Sequence, residues 1–182
     1  MNQIAGTGRP AEPEQLAWFH GLPAADAHRL LLTCCAAGPW AVQLVAGRPY
    51  PAMSALLRES DEAVASLTVP QLAGTLAGHP RIGERVPAPA GSRSAGWSRQ
   101  EQSGMAAADE PTRQAIAELN AAYEERFGHI YLVCATGRTA AELLALLRAR
   151  LGHDDEAEWR TVRSELQQIN RIRLCKLLAG VA

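Results

Sequence analysis

The stretch DEAEWRTVRSELQQINRIRLCKLL (155–178) decides the fold. Its residues Trp159, Val162, Leu166, Ile169 and Leu177 recur at the i, i+3, i+4 spacing of a helix and so share one face. The spacing predicts one long helix from about Asp155 to Leu178. Arg173 lies four residues after Ile169 and four before Leu177, on that same stripe. A guanidinium pointing into a core needs an anion close by. Arg171, by contrast, falls about 200° from Ile169 at ~100° per residue and should be solvated. Two readings of Arg173 follow. It pairs with an internal Glu or snorkels to the rim, or it receives a ligand carboxylate. Spacing by itself favours the first.

Upstream, Thr139 and Glu142 form a capping box ahead of the stripe Leu143, Leu144, Leu147 and Leu151, and Gly152 closes that helix. The apolar run Ile130–Ala135 is either a strand-like link or a helix piece; periodicity does not separate them. Glu110-Pro111 opens a helix through Ile116, Leu119, Asn120, Tyr123 and Phe127 that ends at Gly128. A further helix restarts at Ser98. Between His79 and Ser98 stands HPRIGERVPAPAGSRSAGWS, too long for a routine connection. It is either a functional loop or a flexible insertion, and composition slightly favours the insertion. Earlier helices are expected at Leu16–His20, at Ala24–Ala36, from Pro39 to a stop at Gly47, at Ala52–Leu67 with Ser60, Asp61 and Glu62 on the wet side, and at Val69–Gly78. Residues 1–12 should fray. The prediction is an all-α, single-domain bundle of about eight helices with one long central loop, its helical domain spanning 13–182.

Composition agrees. The chain has 182 residues, 47% hydrophobic and 20% charged, so it can build a core of its own. Aromatics are only 5% while Ala and Leu, strong helix formers, dominate. A net charge of -1 argues against a nucleic-acid partner bound by bulk electrostatics. No apolar stretch reaches the ~20 residues that span a bilayer. The start, MNQIAGTGRPAEPEQ, carries no apolar signal core, and the end, AGVA, is no peroxisomal address. Cys34, Cys35, Cys134 and Cys175 form no disulfide framework and read as reduced thiols, so a cytoplasmic location is expected.

Three places offer chemistry. Ser98-x-x-Glu101 has capping-box spacing, and a helix start bearing Ser98, Glu101 and Gln102 also suits a polar anionic ligand. His79 stands between a helix end and Pro80, which fixes its backbone. Arg173 is the third. Several known chemistries drop out. The spacing Cys134-x3-Arg138 is not a phosphatase loop. Neither phosphate-binding glycine motif occurs, no nucleophile elbow is present, and the His and Cys spacings make no zinc set.

Taken in order, CC-x3-PW (34–40), GRPYP (47–51), HPRIGER (79–85), S-x-x-EQ-x-G (98–104), LN-x-x-YE-x-RFG (119–128) and the final Arg173-Leu174 resemble the 2-oxo-4-hydroxy-4-carboxy-5-ureidoimidazoline (OHCU) decarboxylases of urate degradation. The resemblance covers about residues 14–178. It departs at HPRIGER, where many relatives have HPDLAGR, and at GHIYLV, where others have GFPFVV. It implies an all-helical, cofactor-free homodimer that turns the small molecule OHCU into (S)-allantoin, with neither nucleic acid nor membrane as partner. It implies His79 and Glu101 as catalytic, with Pro80, Ser98, Gln102, Arg173 and the segment Tyr131, Leu132, Val133, Cys134 and Ala135 at the substrate. His79 would move the proton, Glu101 and Gln102 would grip ureido and ring N–H groups, and Arg173 would fix an anionic oxygen. The competing readings are a non-catalytic bundle that binds a small anion or a partner helix, and another ureide-processing enzyme of purine catabolism.

Overall fold

A computed structural model describes residues 12–84 and 93–180. Nine α-helices lie among them: α1 (Glu12–Gly21), α2 (Ala24–Leu32), α3 (Gly38–Ala46), α4 (Met53–Ala65), α5 (Val69–Leu76), α6 (Arg93–Glu101), α7 (Glu110–Phe127), α8 (Ala140–Arg150) and α9 (Asp155–Ala179). A single 3-10 turn, Ser103–Met105, follows α6. No strand occurs among the described residues, and the all-α expectation holds. The count of about eight becomes nine. The frayed segment expected at 1–12 lies outside the described residues, except that Glu12 begins α1.

The helix ends follow local chemistry. Thr68 with Gln71 and Thr139 with Glu142 form complete capping boxes at α5 and α8. Asp109 and Asp154 cap α7 and α9 by accepting from the backbone N–H three residues on. Gly128 ends α7 at φ 72°, a left-handed turn that a glycine adopts without strain.

Four expectations are corrected. The helix read as Ala24–Ala36 stops at Leu32, where the backbone tightens: the N–H groups of Thr33 and Cys34 donate to the carbonyls three residues back, those of Leu30 and Leu31, at 3.0 and 2.8 Å. Ser60 is not on the wet side. It is fully buried, accepting a bond from Trp40 Nε1 at 3.0 Å where α3 crosses α4. The central loop is shorter than 79–98, since α6 begins at Arg93; residues 85–92 of it lie outside the described residues. Ser98 is therefore not the N-cap of a helix, and no capping box joins it to Glu101. Both side chains belong to the last turns of α6 and serve Arg173 instead.

The helices enclose two cores. The larger gathers α1–α5 around α9, with Phe19, Leu31, Trp40, Leu56, Leu72 and Leu166 buried in it. The smaller is built by α7 against α8 around Ile116, Tyr123, Leu143 and Leu147. Between them runs the segment Ile130–Ala135, neither helix nor paired strand. Its side chains alternate: Leu132 and Cys134 enter the larger core, Tyr131, Val133 and Ala135 the smaller. That period of two marks an extended chain, and it settles the ambiguity of this run in favour of the strand-like link. Because the segment divides the cores, one of its edges meets the space between α5, α6 and α9.

Candidate active site

That space is a cavity of about 30 Å³ lined by His79, Pro80, Ile82, Ser98, Glu101, Gln102, Tyr131, Leu132, Val133, Ala135, Thr136, Ile169 and Arg173. It has room for about one water. Ten of the eleven site residues expected from the sequence line it. Cys134 does not. Its thiol faces the larger core, where burial pushes it up from its ordinary value, and its backbone N–H donates to Glu165 Oε2 at 2.8 Å.

His79 is placed by the end of α5. Its N–H donates to the Leu76 carbonyl at 2.9 Å, and Pro80 prevents the helix from continuing. The ring Nδ1 meets the Thr75 carbonyl oxygen at 3.2 Å. A carbonyl only accepts, so Nδ1 carries the proton in this contact and Nε2 presents a bare lone pair. Nε2 is buried with no partner among the described residues. Burial, and then the charge of Arg173, push the imidazole down to about 4. At neutral pH His79 is an uncharged base with its free nitrogen sealed from solvent.

Arg173 satisfies the first of its two readings. It is 4% exposed. Nε and Nη2 donate to the two Glu101 carboxylate oxygens at 2.9 and 2.7 Å, Nη2 also to Ser98 Oγ at 3.1 Å, and Nη1 to the Cys34 carbonyl at 3.0 Å. This is a forked ion pair in a buried setting, where it is strong and geometrically exacting. Four contacts use four of the guanidinium's five N–H donors. The remaining N–H belongs to Nη1. Arg171, as expected, reaches outward and pairs with Asp61.

Gln102 lines the cavity but has both ends of its amide engaged. Oε1 accepts from Gly83 N at 3.0 Å and Nε2 donates to the Arg81 carbonyl at 3.2 Å. Asn120 donates to the Ile82 carbonyl at 3.0 Å, and Arg81 forms a forked pair with Glu124. Residues 81–83, which follow the histidine, are thus stapled by Gln102, just past the end of α6, and from α7.

Sequence reasoning did not find Ile82, Thr136, Ile169 or Thr75. Two of them carried a signal. Ile169 sits one turn before Arg173 on its stripe, and Thr75 one turn before His79. Ile82 and Thr136 merely adjoin recognised motifs. Among the described residues no group of three His, Cys, Asp or Glu is placed to hold a metal ion, and no helix is long and apolar enough to cross a membrane.

Comparison with known proteins places the chain. A family model described as OHCU decarboxylase matches residues 20–175. The chain is 29% identical to the uric acid degradation bifunctional protein TTL of Arabidopsis thaliana over 82% of its own length and 46% of that protein's. It therefore spans less than half of that relative. It is also 29% identical to a 2-oxo-4-hydroxy-4-carboxy-5-ureidoimidazoline decarboxylase of Amia calva, over 70% of this chain and 73% of that one. The mouse protein of the same name is 35% identical over 44% of this chain and 46% of its own. Among solved structures, an OHCU decarboxylase crystallised in the presence of (S)-allantoin superposes with a TM-score of 0.68 at 24% identity, covering 81% of this chain and 95% of that one. An (S)-allantoin synthase superposes at 0.66 with 16% identity, covering 89% of this chain and 53% of that one. At those identities the likeness is one of fold.

Proposed function

The chain belongs to the OHCU decarboxylase family, and on that premise we propose that it removes CO2 from OHCU to give (S)-allantoin, with His79 as the proton-transfer group. The observation that carries the proposal is the imidazole: neutral, held by Thr75 through Nδ1, and offering a buried Nε2 to the cavity.

The chemistry follows from the substrate's name. One ring carbon bears a hydroxyl and a carboxylate, and its neighbour carries the ureido group and a C=N bond. When the carbon–carboxylate bond breaks, its electron pair moves into the adjacent C=N, so the substrate is its own electron sink and the proposal calls on no cofactor. Nε2 takes the hydroxyl proton, the enol oxygen becomes the carbonyl, and the same proton returns to the ureido-bearing carbon. The ring nitrogen that received the electron pair takes one proton from water. The balance closes with CO2, allantoin and the hydroxide left by that water. Because the proton returns from one side only, the product has one hand. A base of this kind contributes roughly 10²–10⁴ in rate.

The other residues position. Arg173 has one N–H left for an anionic oxygen of the substrate, and Glu101 and Ser98 fix the plane of the guanidinium. Gln102 shapes the 81–83 turn beside Pro80. The backbone edge of Val133 suits the N–H and C=O groups of the substrate ring. The proposal extends to a single helical unit over 13–182, to a homodimer, for which Trp18 and Val42 offer exposed apolar surface, and to action in the cytoplasm without nucleic-acid or membrane partners.

Freshly generated OHCU provides the test. Added protein should accelerate the appearance of optically active allantoin, followed by circular dichroism, over the uncatalysed blank. A signal no faster than the blank, or racemic product at the enzyme-dependent rate, removes the assignment.

A further inference from the structure

A second buried ion pair stands behind the cavity, in no contact with its interior. Arg150, in the last turn of α8, is 4% exposed and Glu158 of α9 is fully buried. Arg150 Nε donates to Glu158 Oε1 at 2.9 Å, Nη2 reaches the same oxygen, and the Tyr123 hydroxyl joins both. His153 Nδ1 meets the other oxygen at 2.8 Å. Burial by itself would raise the Glu158 carboxyl; its bonds to Arg150, Tyr123 and His153 outweigh that and hold it below its ordinary value. Replacing such pairs by apolar residues is often neutral or stabilising, so stability does not account for keeping one here.

The fourth hydrogen bond of Arg150 does. Arg150 Nη1 donates to the Leu132 carbonyl oxygen at 2.6 Å, and its guanidinium lies over the Tyr131 ring, 4.7 Å from the centroid. In an extended chain the polar groups of alternate residues share an edge. The edge carrying Leu132 and Cys134 is occupied: Arg150 holds the first and Glu165 the second. The opposite edge carries Val133, which lines the cavity and whose backbone no described residue bonds. Anchoring one edge leaves the other turned to the ligand.

We infer that Arg150, aimed by Glu158, is a positioning residue that sets where the Leu132–Ala135 wall stands and so which backbone edge meets the substrate. The kinetic part of this inference rests on the decarboxylase reading; the structural part does not.

The test removes the pair without orphaning a charge: Arg150→Met, Glu158→Met and Tyr123→Phe together, in the full chain. Exchange of the Cys134 amide should speed by about tenfold, because the wall loses one of its two anchors. The KM for OHCU should rise more than kcat falls, for a loss of about 10² in kcat/KM. Where the triple variant does not fold, Arg150→Lys replaces it. It keeps the charge opposite Glu158 but lacks the fork that reaches Leu132 as well, and the same two changes are expected. Wild-type exchange together with wild-type KM in a folded variant overturns the inference. If the unmodified protein does not turn over OHCU, the decarboxylase reading fails, and the exchange rate alone decides the role of Arg150.

Discussion

Among the described residues stand two buried arginine–glutamate forks, Arg173–Glu101 and Arg150–Glu158, and they do different things with the same chemistry. Each arginine is 4% exposed, each grips a carboxylate from another helix, and each spends one donor on a backbone carbonyl. The difference is what surrounds them. Arg150 is closed in by Tyr123 and Tyr131, His153 holds the other oxygen of its carboxylate partner, and its carbonyl partner belongs to a wall. Arg173 borders the cavity and acts on His79, whose basicity it lowers after burial has done most of that work. A buried fork is thus a mount in both places. What makes one of them part of the proposed reaction site is the uncharged imidazole across from it.

The largest expected effect isolates that imidazole. His79→Ala should lower kcat by roughly 10²–10⁴ while leaving both forks, and the melting temperature at neutral pH, in place. Turnover near the wild-type level would remove the base from the mechanism and leave the two forks equivalent. The pH dependence carries the same contrast. His79 is pushed down to about 4 from an ordinary 6.5, so kcat/KM should stay level through neutrality and fall as pH drops through about 4, where the base is protonated. For stability the sign is the same. Between about 4 and 6.5 the unfolded chain binds the proton and the folded one does not, so the contribution is full above 6.5 and is lost as pH falls through that window. His79→Ala should flatten this slope, measured as melting temperature against pH.

The next effect sets fold against function at the first fork. Arg173→Met leaves Glu101 buried and unpaired, which costs about 3–5 kcal/mol. Adding Glu101→Met should recover most of that stability but none of the activity. A double variant that turns over OHCU at the wild-type rate would make the Arg173 fork a purely structural mount.

Much of this was legible in the sequence, and the misses have causes. Arg173 announced itself because a charge on an apolar stripe conflicts with its neighbours. Arg150 sends no such signal: a basic residue in the last turn of a helix is what the helix dipole favours, and only the tertiary structure buries it. The capping boxes of α5 and α8 obeyed local chemistry. The S-x-x-E spacing at Ser98 imitated that chemistry and was misread, because a helix start depends on where the chain comes from, and the glycine- and serine-rich residues before Ser98 read as loop. Ser60 was misplaced for a related reason, since a hydroxyl in a helix tells nothing of a tryptophan twenty residues away. The cavity itself was legible as a set of residues, with His79, Glu101 and Arg173 all in it. Its boundary was not, because Cys134 faces away by the alternation of an extended segment that periodicity had left ambiguous.

The smallest effect separates the forks by one bond. Ser98 Oγ accepts from Arg173 Nη2 at 3.1 Å, and the Arg150 fork has a counterpart in the Tyr123 hydroxyl at 3.2 Å. Ser98→Ala removes the first without orphaning a charge, since Glu101 still holds the guanidinium through both oxygens, and should cost about 0.5–1.5 kcal/mol. The two deletions differ in what they free. With Tyr123→Phe the released N–H of Arg150 stays sealed in the smaller core, so only stability should change. With Ser98→Ala the released N–H of Arg173 lies at the cavity wall, where it competes for the substrate's anionic oxygen. The KM for OHCU should shift in Ser98→Ala and stay put in Tyr123→Phe when both are compared at matched folded fraction. Equal shifts in the two variants would mean that the cavity fork is no more exposed to the ligand than the sealed one, and the distinction between them would go.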